Sequence, residues 1–163
     1  MKAIQVAWDD AALDSHFTTY WDSDEISEYP VLHFFQAVPS QPIPYAVLKI
    51  GETRTDEQMS GTGDKLQAIR KTDVQFTVFV TVGNATLGEG PTGLVTQKAL
   101  SLDLAEKIME VFGGDGIYPK VDLALEAGCY VDSYYVRDFG VRTGEHYRWS
   151  IDYRILTDIA VAI

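Results

Sequence analysis

The sequence predicts an α+β domain: a mainly antiparallel sheet of about five strands, packed by one long helix and by a short N-terminal helix. Three observations carry this reading. From Asp73 to Val82 every even position is apolar (Val74, Phe76, Val78, Val80, Val82), the period of a half-buried strand. From Tyr147 to Ile155 every odd position is apolar, with Arg148, Ser150, Asp152 and Arg154 between. Leu94, Leu102, Ala105, Ile108, Met109 and Phe112 form one helical stripe between these two strands. Strands in runs, with no regular βαβ alternation, favour α+β over a parallel sheet.

The elements follow in order. Ile4, Ala7, Trp8 and Ala11 recur at helical spacing and predict a short helix within 3–17. Residues 18–44 read as an extended connection, first acidic (Asp22, Asp24, Glu25, Glu28) and then proline-rich (Pro30, Pro39, Pro42, Pro44), with at most a short strand at Val31 to Gln36. A strand is expected near 45–51. A charged loop, Gly51 to Leu66, then leads into the strand near 67–82. Pro91 and Thr92 suit a helix start, and Gly113-Gly114 suit its end, so the long helix is placed near 93–112. Val121, Leu123, Leu125 and Ala127 predict a strand near 120–127, and Tyr130 to Val136 another near 129–137. A second charged loop, Arg137 to Glu145, precedes the last strand near 146–157. At 163 residues, 1–163 reads as a single domain.

Composition excludes several function classes. Lys and Arg total 13 against 24 Asp and Glu, a formal charge of −11, which argues against nucleic-acid binding, since phosphate binding needs clustered bases. The acidity is uneven: residues 1–64 hold 11 acids and 3 bases, residues 65–163 hold 13 acids and 10 bases. The single Cys129 leaves no intrachain disulfide and no Cys-rich zinc module. No apolar run approaches the roughly 18 residues of a membrane span, and the start does not read as a signal peptide, so a cytosolic origin is expected.

The chemistry-bearing residues form no recognised constellation. His16, His33 and His146 make neither HxH nor HxxxH, and Cys129 has no partner signature. Gly61-Thr62-Gly63-Asp64-Lys65 lacks phosphate-loop spacing and leads into a strand. Gly113-Gly114-Asp115-Gly116 has one carboxylate and no trailing Glu at calcium-loop spacing. Asp22, Asp24, Glu25 and Glu28 could attract a hard cation, but a charge run between aromatic residues and prolines reads better as a solvated or partner-facing segment. No catalytic residue, cofactor or metal is expected. The charged hairpins remain: Glu52, Arg54, Asp56, Glu57 and Arg70 in one, Arg137, Asp138 and Arg142 in the other, the kind of connection that carries binding on a scaffold.

The order of elements resembles that of the tail terminator (tail completion) proteins of long-tailed bacteriophages. The matching pieces are Pro42-Ile43-Pro44-Tyr45-Ala46-Val47-Leu48-Lys49-Ile50, then Glu52 to Thr62, then Val74-Gln75-Phe76-Thr77-Val78-Phe79-Val80, the helix Val95 to Phe112, and Tyr147-Arg148-Trp149-Ser150-Ile151-Asp152-Tyr153-Arg154-Ile155. The resemblance covers the chain from about Ile43 onward. It implies a non-enzymatic virion protein, assembled in the host cytoplasm. Its ring, usually of six subunits, would cap the tail tube and offer the head a joining surface. The implied partners are further copies of itself, the tail tube protein and a neck or head-completion protein, with no sequence-specific nucleic acid and no membrane. On that reading the two charged hairpins supply the subunit and tube contacts. Two alternatives stand beside it: a neck or head-completion adaptor, and a small metal-dependent hydrolase using Asp22, Asp24 and Glu25.

Overall fold

The computed structural model describes residues 1–21, 29–37, 42–61, 65–81, 84–86, 94–114, 131–144 and 146–162. They form α1 (Lys2–Asp10), α2 (Leu13–Thr18), β1 (Leu32–Phe34), β2 (Tyr45–Gly61), β3 (Lys65–Thr81), β4 (Asn84–Thr86), β5 (Leu94–Thr96), α3 (Gln97–Phe112), β6 (Val131–Thr143) and β7 (His146–Ala162). A five-stranded mixed sheet runs in the order β1-β2-β3-β7-β6, and β4 and β5 form a separate two-stranded ribbon. Within the large sheet only β1–β2 is parallel. The fold is therefore α+β, with three helices among the described residues where two were expected.

The N-terminal stretch bends where one helix was expected. Ala12 sits at φ 51, ψ 38, a left-handed conformation that a helix interior cannot hold. The break lets α2 fold back on α1, and the Trp8 indole N–H donates to Asp14 across it at 2.6 Å. Trp8, fully buried, then stacks on Phe76 of β3 and meets Phe17 of α2.

The middle helix is shorter than the spacing predicts. It begins at Gln97, because Leu94-Val95-Thr96 pair as a strand with Asn84–Thr86; two of those three residues are β-branched and fit a strand well. The buried stripe is Leu100, Leu104, Ala105, Ile108, Met109 and Phe112, a spacing of three to four residues. Leu102, expected in the stripe, is only half-buried. The helix stops at Gly113, whose φ of 108 suits glycine. Two strands hold that end. The Ser133 hydroxyl donates to the Phe112 carbonyl at 2.6 Å, and the Tyr153 hydroxyl donates to the Gly113 carbonyl.

Both charged loops are strands instead. β2 continues to Gly61 and β3 starts at Lys65, with register shifts between Ile50/Thr53 and Asp56/Ser60. β7 follows β3 over its whole length, from Lys65↔Ala162 to Thr81↔His146. β6 likewise continues through Arg137–Thr143, with the chain reversing at Gly144 (φ 56). Charged residues are compatible with any strand face that meets water, so charge density alone does not mark a loop. The expected strand near 120–127 lies outside the described residues. The connection 18–44 is less bare than its composition implies: Trp21, Val31 and Leu32 are buried, and the Trp21 indole N–H donates to the Pro44 carbonyl at 2.8 Å.

All three helices contribute to one core against one sheet face. That face carries Ala46, Leu48, Val74, Phe76, Val78, Val80, Ile151 and Tyr153. Phe76 is central, touching the rings of Trp8, Phe112 and Tyr153. β3 is not simply half-buried. Thr77 and Phe79 on its other face are buried too, Phe79 in a small second cluster with Tyr45 and Val47.

Candidate functional site

The face of the sheet turned away from the helices holds the most distinctive arrangement of side chains. The register places Lys49, Gln75, Asp152 and Arg137 in one row across β2, β3, β7 and β6. The row on one side is Val47, Thr77, Ser150 and Phe139, and the next is Tyr45, Phe79, Arg148 and Val141. On the other side lie Asp73, Arg154 and Tyr134. β6 reaches this pattern by a bulge. Between Tyr135 and Arg137 the register slips, so Val136 stands out at 51% exposure and the odd residues after it turn to the outer face.

A shallow cavity of about 370 Å³ opens on this face, lined by Lys49, Gly51, Asp73, Gln75, Val136, Asp152 and Arg154 among others. Its charges are largely matched. Arg137 donates to Asp152 at 2.7 Å, and the Gln75 amide donates to the other oxygen of the same carboxylate at 2.7 Å. Arg154 donates to Asp73 at 3.1 Å. Both carboxylates are therefore engaged as acceptors. Among the described residues no three His, Cys, Asp or Glu side chains gather where they could share a metal ion.

The predicted contact residues divide between the two ends of the sheet. Glu52 and Arg54 form an exposed ion pair at 2.5 Å, and the hydrogen bond from Arg54 together with its charge holds the Glu52 carboxyl below the usual carboxylate range. Arg70, exposed, lies opposite Thr55 and Thr157. Asp56 pairs through its backbone with Ile69 and Glu57 belongs to β2, but both side chains lie outside the described residues. Arg137 binds Asp152, which lines the cavity. Its guanidinium also lies 5.2 Å from the Phe139 ring centre.

Asp138 does something other than expected. It faces the core side, accepting from the Trp149 indole N–H at 2.8 Å and from the Tyr135 hydroxyl. It orients two aromatic rings beside Gly140, where an added Cβ would lie 2.6 Å from the Trp149 ring. Arg142 lies at the hairpin end, its guanidinium 5.9 Å from the Tyr147 ring centre. The hairpin residues thus do not converge on one site, and the rows of Lys49, Val136 and Phe139 were not anticipated. Phe139 and Val141, two residues apart on a strand, were the available signal, hidden by reading 137–145 as a loop.

Asp22, Asp24 and Glu25 lie outside the described residues. No helix among the described residues is long and apolar enough to cross a membrane. Comparison of the sequence with models of protein families returns no match, and comparison with curated proteins returns none.

Proposed function

We propose that the chain is a virion structural subunit that forms a ring, terminates a phage tail tube and offers the joining surface for the head. The observation that carries this reading is the length of the paired strands at the hairpin end of the sheet. Lys65–Asp73 stay paired with Arg154–Ala162, and β2 pairs alongside as far as Gly61↔Leu66. Nine residues at about 3.3 Å each make an arm of roughly 30 Å. Three paired strands of this length offer a neighbouring molecule an extended surface. The resemblance of the element order to that of tail terminators supports the same reading. In this proposal the partners are further copies of the chain, the tail tube protein and a neck or head-completion protein, in the virion, with no enzymatic role.

At −11 per chain, a ring of six carries roughly 66 negative charges, so long-range repulsion opposes closure at low salt. The test is mass by light scattering across protein and salt concentration, with and without tail tube protein. The expected result is a closed oligomer favoured by moderate salt or by tube ends, and tubes that stop growing once capped. A strict monomer under every condition, tube ends included, refutes the ring.

A further inference from the structure

Among the described side chains, the central patch of the uncovered sheet face and the helical layer carry opposite net charge. In the central patch, where Tyr45–Lys49, Asp73–Phe79, Arg148–Arg154 and Tyr134–Val141 lie side by side, the uncovered sheet face bears four bases (Lys49, Arg137, Arg148, Arg154) and two acids (Asp73, Asp152), a surplus of two positive charges. The three helices bear six acids (Asp9, Asp10, Asp14, Asp103, Glu106, Glu110) and three bases (Lys2, Lys98, Lys107), a surplus of three negative charges. A basic face on a chain of net −11 runs against its composition and is produced by the topology, which turns Arg148 and Arg154 of β7 and Arg137 of β6 to the same side.

The basic face is also apolar at one edge. Four of the eight large apolar side chains exposed among the described residues lie on β6: Tyr134, Val136, Phe139 and Val141. Tyr134, Phe139 and Val141 sit opposite Arg154, Ser150 and Arg148 of β7, so they share the basic face. An apolar strip rimmed by arginines has the composition of a protein interface.

We propose that this face is where one copy of the chain receives the helical layer of the next. The signs select this pairing. Two basic faces repel each other, two acidic helical layers repel each other, and only sheet face on helical layer is attractive. Such a contact is head-to-tail, and a head-to-tail contact closes into a ring when its rotation allows. The inference rests on the ring reading above and adds which surfaces meet: Lys49, Arg137 and Phe139 of one subunit against Asp103 and Glu106 of the neighbour, one turn apart on α3. The patch spans four strands at about 4.8 Å and seven residues of β7 at about 3.3 Å, roughly 19 by 23 Å. Its flat footprint is about half the roughly 800 Å² per partner of a stable interface, so isolated copies associate weakly and close fully only when a tube end aligns them.

The test is a charge swap read by sedimentation and light scattering in about 0.15 M salt, where repulsion between whole chains is screened and contacts of a few Å are not. One variant reverses the sheet face (Lys49→Glu with Arg137→Glu), the other the helical face (Asp103→Lys with Glu106→Lys). Circular dichroism and thermal melting establish that both remain folded. Each variant alone is expected to self-associate at least tenfold more weakly than the natural chain. An equal mixture is expected to regain association, because every sheet-to-helix contact in an alternating ring is again between opposite charges. Phe139→Ser, which leaves the charges alone, should also weaken association. If the natural chain assembles but the reversals leave it unchanged, or the mixture regains nothing, the faces assigned here are wrong while the ring stands. Stronger self-association of the Lys49/Arg137 variant would likewise overturn the assignment, in favour of sheet-to-sheet pairing. If the natural chain never exceeds a monomer even with tube ends, the ring fails and this inference with it.

Discussion

Replacing Tyr153 by Phe separates two opposing effects of one hydroxyl. Tyr153 is 2% exposed, its ring packs edge-on against Phe76, Phe112 and Tyr135, and its hydroxyl donates to the carbonyl of Gly113 at the end of α3. Phe keeps the ring and removes the donor. A buried carbonyl that loses its donor costs about 1–3 kcal/mol, so the variant should be less stable by that amount at pH 7. Burial, with smaller help from Tyr135 and Asp138, raises the Tyr153 phenol far above its usual value near 10. A group whose pKa is raised in the folded state contributes stability that is intact below its unfolded pKa and falls away as pH rises above it. Between pH 10 and the much higher folded value, only the unfolded chain ionises. One unit above 10 the natural chain has lost about 1.4 kcal/mol from this group, and each further unit costs about as much again. The Phe variant loses none of it, and the other tyrosines titrate alike in both proteins. The stability gap should therefore shrink from pH 9 upward and close or invert between about pH 11 and 12. Urea unfolding at pH 7, 9, 10 and 11, read by far-ultraviolet circular dichroism, measures it. A gap that stays constant to pH 11 would refute the buried, hydrogen-bonded position of this phenol.

Two further substitutions test local geometry. Gly140→Ala places a Cβ 2.6 Å from Cζ3 and 2.7 Å from Cε3 of Trp149, a ring held by its hydrogen bond to Asp138; a loss of about 1–3 kcal/mol is expected, with a shift in tryptophan fluorescence reporting the displaced ring, and an unchanged denaturant midpoint and spectrum would contradict that packing. Ala12→Gly should stabilise the protein by about 0.5–1 kcal/mol, because the left-handed backbone at φ 51 penalises a Cβ by more than glycine's extra freedom costs in the unfolded chain; a lower melting temperature would argue against the break between α1 and α2.

The single helical stripe and the two alternating strands were legible because burial of one face writes a period into the sequence. Val74, Phe76, Val78 and Val80 point to the core as their spacing predicts, and Gly113 ends α3 where a glycine pair announced it. The acidic composition, the lone cysteine and the lack of ligand spacing were equally plain in the chain itself. Local sequence settled these because each depends on neighbours within a turn or a strand.

Everything that depends on which strands become neighbours required the tertiary structure. The hairpins extend as strands because β7 offers β3 a full partner from His146 to Ala162, a pairing between segments some eighty residues apart. The helix starts late because Leu94–Thr96 find Asn84–Thr86. Arg137 and Asp138, as strand neighbours, face opposite sides, and the bulge at Val136 decides that Arg137 takes the outer face and Asp138 the aromatic core. The basic face follows from the same cause. Arg148 and Arg154 share a side by the alternation of β7 alone, and the register of β6 against β7 brings Arg137 to the same side. Sheet register is a long-range choice fixed by cross-strand packing, whereas periodicity records only the faces of each element taken alone.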